Sequence, residues 1–499
     1  MKLLELVQSL QYQLLQGSLD VEVVEVENDS RKVKKDYLFF CIPGSVRDGH
    51  MFAPEVVEKG ASVLIVEHPV EVPPTVTVLQ VESSRYAMGV LSSVFYGEPS
   101  KKLTVIGITG TKGKTTTTYM IQSMLEQTGH KTGLVGTIEV LDGKNRIPAA
   151  NTTPESLKLQ RILRDMVENG MDSVVMEVSS QGLMLDRVAG VDFDYGIFTN
   201  LSEDHIGPNE HASFEEYCMW KSKLFQLCKV GIFNQDDPYY PEIIKNHTCQ
   251  VITYGMTEGA DYCASNWKLH NEDGHLGISY QLSGRAEGDM QVNIPGKFSI
   301  YNSLAAIAVA NEMQVAIPVI QEVLKKVKVR GRVELIPISD AFTILIDYAH
   351  NAVSLESILE TLRDYKPKRL IAVFGCGGNR SKTRRYEMGE VSGRLADFTI
   401  ITSDNPRDEE PQAIIDDIIT GISKTNGSYM EIIDRKEAFR YAIMHAQPGD
   451  VIVLAGKGHE DYQEIKGVKY HMDERELIHE VLEEEDVSKI CGYHNRYFS

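Results

Sequence analysis

Between Gly107 and Thr118 the chain reads GITGTKGKTTTT: an apolar strand runs into glycines and then into Lys114-Thr115 at the head of a helical stretch. This order fits a phosphate-binding loop. Backbone N–H groups left free by glycines converge with a helix N-terminus on anionic oxygen. Lys114 brings a charge for β- or γ-phosphate oxygens, and the Thr115 hydroxyl suits Mg²⁺. The strict GxxxxGK[ST] spacing is not met, because Ile108 stands at its first glycine position with Gly107 and Gly110 on either side. Glu177 closes the apolar run VVME, and His205 follows FTNLSED. At the carboxyl ends of parallel strands, a carboxylate and an imidazole fall beside such a loop, placed for a metal that bridges phosphates. Taken singly, each is as readily a structural residue.

A second stretch, TSDNPRDEEP from Thr402 to Pro411, sets Arg407 in an acidic surround. Either Asp408, Glu409 and Glu410 neutralise it locally, or the turn holds it out for a ligand. Pro406 fixes its own φ and biases Asn405 towards an extended shape, so Arg407 sits on a stiff turn. GCGGNRSKTRR follows the strand-like RLIAVF, SDNPR follows DFTIIT, and GKGHE follows DVIVLA. In a parallel sheet these three loops share one rim, the usual ligand crevice.

The elements that must position these groups are those of a large α/β protein. At 499 residues the chain predicts about three domains. A net charge of -20 argues against a general nucleic-acid or anionic-membrane binder. Seven scattered cysteines without a CxxC pair predict a reduced, cytoplasmic protein, and no apolar run is long enough to span a membrane. The opening MKLLELVQSLQYQLL is expected to be an amphipathic helix. Short β-rich pieces fill the first ~100 residues. From Leu103, strands alternate with helices, predicting a mostly parallel sheet. VKVRGRVE connects to a third unit. The expected domains are 1–98, 99–330 and 331–499, and the expected state is a monomer.

GTKGKTT, MEVSSQGL, NLSEDHIG, VRGRVE and DYAHN, in that order and over essentially the whole chain, resemble the signatures of the Mur ligases. NDSR, ANTTPES, GCGGNRSK, SDNPR and AGKGHEDYQ are similar to the branch that adds the third peptide residue. The resemblance implies an α/β fold of three domains. These are an N-terminal uridine-nucleotide domain, a central P-loop parallel-sheet ATPase domain and a C-terminal Rossmann-like domain. It implies ATP and Mg²⁺ as cofactors and UDP-MurNAc-L-Ala-D-Glu as a substrate, whose D-Glu side-chain carboxylate is activated as an acyl phosphate. The DNPR form resembles the group that adds meso-diaminopimelate; L-lysine is the alternative amine.

By the same resemblance, Gly110, Thr111, Lys112, Gly113, Lys114, Thr115 and Thr116 bind ATP, with Asn302, Arg332 and Asp347 bordering it. Lys114, Glu177, His205 and Lys221 are the catalytic set; Thr115, Glu177, His205 and a carbamylated Lys221 serve the metal. Ser30, Ser45, Val46, Arg47, Asn151, Thr152, Thr153, Ser179 and Arg187 match nucleotide-sugar positions. Arg385, Asp404, Asn405, Pro406, Arg407, Gly456 and Glu460 match the amino-acid site, with Arg407 on the distal carboxylate. Three departures stand out: Leu185 replaces a polar contact residue, Ala352 a proline after DYAHN, and Ser299 an asparagine. A P-loop ATPase or kinase would not require the later motifs. A folylpolyglutamate synthase would lack the N-terminal unit with DSR, and a non-catalytic nucleotide-binding scaffold would not need the catalytic set. GCGGNR lacks the GxGxxG order of a dinucleotide site.

Overall fold

The computed structural model describes residues 1–44, 47–203, 206–207, 210–272 and 275–494. The chain divides into two compact units, Met1–Tyr262 with Ala305–Ala316, and Cys263–Leu304 with Ile317–Ser499.

The first unit holds two sheets. Strands β1 (Gln13–Gln16), β2 (Glu25–Glu27), β3 (Tyr37–Phe40), β4 (Val63–Val66) and β5 (Thr77–Gln80) lie in the order β1-β5-β4-β3-β2. The expected N-terminal helix is corrected here. Only Leu3–Leu6 is helical, and Gln13–Gln16 is a strand antiparallel to β5, with Gln13 opposite Gln80. One turn suffices to bury Leu3, Leu6 and Val7. Beyond it, edge pairing satisfies the backbone and outweighs a weak helical preference.

The second sheet has strands β6 (Thr104–Thr109), β7 (Thr132–Val135), β8 (Glu139–Leu141), β9 (Arg146–Pro148), β10 (Ser173–Glu177), β11 (Phe193–Phe198), β12 (Cys228–Asn234) and β13 (Gln250–Gly255). In the first unit they run β13-β12-β11-β6-β10-β7-β8-β9. The pairings from β13 to β7 are parallel, as the alternating pattern predicts; β8 and β9 add an antiparallel edge. β6, VIGI at its centre, is buried on both faces, which is why it reads as a continuous apolar run. It lies between β11 and β10, so their carboxyl ends open together around the glycine loop that follows β6.

In the second unit, β14 (Tyr262–Glu272), β15 (His275–Gly284) and β16 (Gly288–Val292) are hydrogen-bonded in sequence order. A six-stranded sheet follows, built from β17 (Glu334–Leu335), β18 (Thr343–Asp347), β19 (Arg369–Phe374), β20 (Phe398–Ile401), β21 (Ser428–Glu431) and β22 (Asp450–Ala455), in the order β17-β18-β22-β19-β20-β21. All its pairings except β17 with β18 are parallel. The loops after β22, β19 and β20 therefore share one rim. A separate hairpin, β23 (Tyr462–Ile465) and β24 (Val468–His471), follows β22. Among the described residues no helix is long and apolar enough to cross a membrane.

Candidate active site

The glycine loop joins β6 to the helix Lys114–Gln127. Gly110 has φ +146, and a Cβ there would collide with Thr199 Oγ1. Only glycine lets the loop pass this close to the end of β11. Cross-strand bonds fix the loop's path: Thr199 Oγ1 and Asn200 Nδ2 donate to Lys112 O at 2.8 and 2.9 Å, and Lys112 N donates to Asn200 Oδ1 at 2.9 Å. The following helix starts at Lys114 behind Gly113, and the first N–H groups of a helix suit an anion.

Glu177 ends β10, where it is in register with Ile108 of β6, and it is buried. Thr115 Oγ1 donates to its carboxylate at 3.0 Å, Thr137 N donates to Oε1 at 2.8 Å, and Thr137 Oγ1 to Oε2 at 3.0 Å. A Cβ at Gly136 would sit 2.6 Å from Glu177 Oε1, so this loop too is shaped around the carboxylate. Hydroxyl and carboxylate oxygens side by side suit a hard divalent cation.

Lys221, on the helix Phe214–Ser222, is 2% exposed. Its Nζ donates to Gly110 O at 3.0 Å and lies 4.5 Å from the Tyr217 ring centroid. Lys114 Nζ donates to the same carbonyl at 2.8 Å and to Thr111 O at 3.1 Å. Both ammonium groups thus donate to one carbonyl of the glycine loop. His205 lies outside the described residues.

The nucleotide-sugar positions fall on two rims. Thr152 Oγ1 is 3.0 Å from Thr137 Oγ1, and Thr153 Oγ1 donates to Glu177 O at 3.0 Å and lies 3.2 Å from Ser179 Oγ. Arg187 Nη1 donates to Thr153 O at 3.1 Å, and its Nη2 pairs with Glu155 at 2.7 Å. Asn151 beside them is exposed. The structure therefore joins Thr153, Ser179 and Arg187 in one bonded group that meets Glu177 through Thr153, while Thr152 reaches it by way of Thr137. Ser30 and Arg47 lie on the loops after β2 and β3, neighbouring parallel strands. Ser45 and Val46 lie outside the described residues.

Asn302, Arg332 and Asp347 belong to the second unit. Asp347 ends β18 and accepts from Val333 N and Ala349 N, both at 2.9 Å. Burial raises its carboxyl above the usual range, against the opposing charge of Arg332. The Arg332 guanidinium lies 4.9 Å from the Tyr348 ring centroid.

The amino-acid positions gather on the rim of the second unit. Arg407 has φ +52, a left-handed residue that turns its side chain away from the acids behind it. Its Nε donates to Glu464 at 3.1 Å and its Nη1 to Gly378 O at 2.7 Å. Local neutralisation is not what the turn does: the ionic partner of Arg407 is Glu464 of the hairpin, not Asp408, Glu409 or Glu410. Glu409 goes instead to Arg385, whose Nη1 and Nη2 it meets at 2.8 and 2.6 Å; Nη1 also reaches Asp417 at 2.9 Å. That hydrogen-bonded arginine holds the Glu409 carboxyl down at about 2. Arg385 is 1% exposed, and its Nε is the one nitrogen left without a partner. Asn405 Nδ2 donates to Glu460 at 2.9 Å, and Gly456 N donates to Asp347 O at 3.1 Å. Thr137, Lys457 and Glu464 escaped the sequence reading, as did the pairing of Glu409 with Arg385; only Lys457 lay inside a quoted motif, GKGHE.

An α/β nucleotide-type loop with a buried carboxylate behind it, and an arginine-bearing rim on a second parallel sheet, define a phosphate-handling enzyme class. The comparisons narrow it. The Mur ligase family, catalytic domain, matches residues 22–96, the Mur ligase middle domain 108–310, and the Mur ligase, glutamate ligase domain, 331–458. The UDP-N-acetylmuramoyl-L-alanyl-D-glutamate--2,6-diaminopimelate ligase 1 of Clostridium acetobutylicum is 45% identical over 97% of this chain and 100% of its own length. The corresponding ligase of Caldanaerobacter subterraneus subsp. tengcongensis is 44% identical over the same shares. A solved structure of a UDP-N-acetylmuramoyl-L-alanyl-D-glutamate--2,6-diaminopimelate ligase superposes with a TM-score of 0.72 at 28% identity, covering 97% of this chain and 99% of the other. The chain belongs to the Mur ligase family and has its three-domain α/β fold.

Proposed function

We propose that this chain joins the D-Glu side-chain carboxylate of UDP-MurNAc-L-Ala-D-Glu to meso-diaminopimelate at the expense of ATP, a step of peptidoglycan synthesis. The observation that carries the reading is the 45% identity, over nearly the whole of both chains, to a ligase named for these two substrates. We place the uridine-nucleotide, ATPase and amino-acid domains at 1–98, 99–330 and 331–499.

A carboxylate is a poor acyl donor, so it is activated by phosphorylation before the amine attacks. Several anions must meet in this step. The helix N-terminus after Gly113 and the Lys114 ammonium offset their repulsion without reorganising. Mg²⁺, when bound, neutralises phosphate charge and polarises the group transferred. Thr115 and Glu177 offer the oxygen donors it favours, and His205 joins them by family resemblance. Lys221 fits a cation only in another form. Addition of CO₂ to its neutral amine, with loss of a proton, gives a carbamate. The carbamate carries a negative charge and adds an oxygen ligand at this buried position. Thr152, Thr153, Ser179 and Arg187 orient the nucleotide-sugar dipeptide beside Glu177. Arg407 takes the distal carboxylate of the amine, with Arg385, Asp404, Asn405, Pro406, Gly456 and Glu460 framing the rest.

Incubation with ATP, Mg²⁺, the UDP-MurNAc dipeptide and diaminopimelate, followed by mass spectrometry, is expected to show the tripeptide product. Its absence, with the protein folded and Mg²⁺ present, overturns the proposal.

A further inference from the structure

The amino-acid rim contains a buried cation that the proposed chemistry leaves without a task. Lys457 follows β22, and its side chain is 0% exposed. An ammonium has three N–H donors. Here they meet Asn405 Oδ1 at 2.9 Å, Glu460 Oε2 at 2.9 Å and the carbonyl of Tyr462. The Asp404 carboxylate is 3.8 Å away, and the Tyr462 ring centroid 4.9 Å. Asn405 Oδ1 also accepts from Glu464 N at 2.9 Å, so both its lone pairs are used. The NH₂ is thereby fixed as the donor end of the amide, and Nδ2 donates to Glu460 Oε2 at 2.9 Å, the oxygen that Lys457 also meets. The same hairpin is fastened to the DNPR turn by Gln463 Nε2 to Asp404 O at 2.7 Å, Arg407 N to Glu464 O at 2.9 Å and Lys466 N to Arg407 O at 2.8 Å.

We infer that Lys457 is a positioning residue for amino-acid recognition: it fixes the Asn405 amide with its donor side towards the site and holds Asp404 and Glu460 as a paired anionic seat for a substrate ammonium group. This deepens the proposed function and rests on it. Without the cation, two acidic side chains face each other on one rim, and Asn405 is free to flip. Burial pushes the Glu460 carboxyl up, and Lys457, by charge and hydrogen bond, with smaller help from the Asn405 amide and His459, keeps it below its usual value. Loss of Lys457 would therefore let Glu460 take up a proton as pH falls, and a neutral acid holds an ammonium group poorly.

The test is Lys457→Met, with Lys457→Gln as a second variant, each first checked for a native-like melting transition. Steady-state rates are measured with each substrate varied in turn from pH 6 to 8.5. The expected result is a rise in KM for diaminopimelate of about 30- to 100-fold, the cost of unpairing a buried charged hydrogen-bond group. KM values for ATP and the nucleotide-sugar dipeptide stay within about twofold, and kcat at saturation within about threefold. KM for diaminopimelate in the variants also climbs as pH falls, whereas in the wild type it stays flat. An active wild type, with variants whose KM is unchanged or whose loss falls equally on all three substrates, overturns the inference and leaves the proposed reaction standing. Failure of both variants to fold also overturns it, since Lys457 would then serve the fold and not the site. A wild type inactive with diaminopimelate removes the proposed reaction itself.

Discussion

Glu177→Gln separates what the carboxylate does for the fold from what it does for chemistry. The side chain is buried and fully engaged: Thr137 N fixes Oε1 as an acceptor, while Oε2 meets the hydroxyls of Thr115 and Thr137 at 3.1 and 3.0 Å. In glutamine the carbonyl keeps the Oε1 place and the NH₂ takes that of Oε2. Both hydroxyls can rotate to accept, and Thr137 Oγ1 can redirect its proton to Thr152 at 3.0 Å. Hydrogen bonds are exchanged and none is abandoned, so the stability change is expected to stay within about 1 kcal/mol. Activity should behave differently. A neutral amide no longer offsets a divalent cation beside the phosphates, and one such electrostatic contact is worth about 10²- to 10³-fold in rate. Thermal melting gives the first quantity; amine-dependent phosphate release across a Mg²⁺ titration gives the second. A variant within threefold of wild-type activity would falsify the metal role. One destabilised by more than about 3 kcal/mol, the range of a broken buried network, would show that the charge is structural.

Arg407→Ala removes the guanidinium from Glu464 and Gly378 O, and kcat/KM for diaminopimelate should fall about 10²- to 10³-fold if a bidentate carboxylate contact is lost; unchanged diaminopimelate kinetics would refute the assignment. Lys221→Ala is expected to be nearly inactive and to recover partly with a short carboxylic acid, whereas a fully active alanine variant rules out carbamylation. Stability should fall on acidification through His459. Burial, reinforced by Arg332, depresses its pKa to about 4, so from the ordinary value near 6.5 downwards the unfolded chain binds the extra proton and unfolding gains. Denaturant melts of His459→Gln should show a flatter stability between pH 6.5 and 4, and an unchanged slope would contradict this.

Much of this arrangement was legible because its signals are local. The glycine loop, the apolar strands on either side and the DNPR and GKGHE turns each carry their meaning within a dozen residues, and parallel topology collects strand ends on one rim. What stayed hidden was the choice of partner between groups far apart in sequence. Arg407 has three acids directly behind it, yet its left-handed backbone sends the guanidinium to Glu464, 57 residues on. Glu409 crosses instead to Arg385, 24 residues earlier. Thr137 sits in an unremarkable turn between β7 and β8 and matters only because β7 and β10 are neighbours. The N-terminal stretch misled for the opposite reason: its apolar spacing suits a helix, and only the β5 edge made Gln13–Gln16 a strand.

The most direct test of the central claim offers diaminopimelate and lysine together, at equal concentration, to the wild-type protein with ATP, Mg²⁺ and the UDP-MurNAc dipeptide, and reads both products by mass spectrometry. A site built around Arg407 predicts tripeptide carrying diaminopimelate almost alone, with discrimination of up to about 10⁴-fold. Predominant incorporation of lysine, or nucleotide hydrolysis without either product, would contradict it.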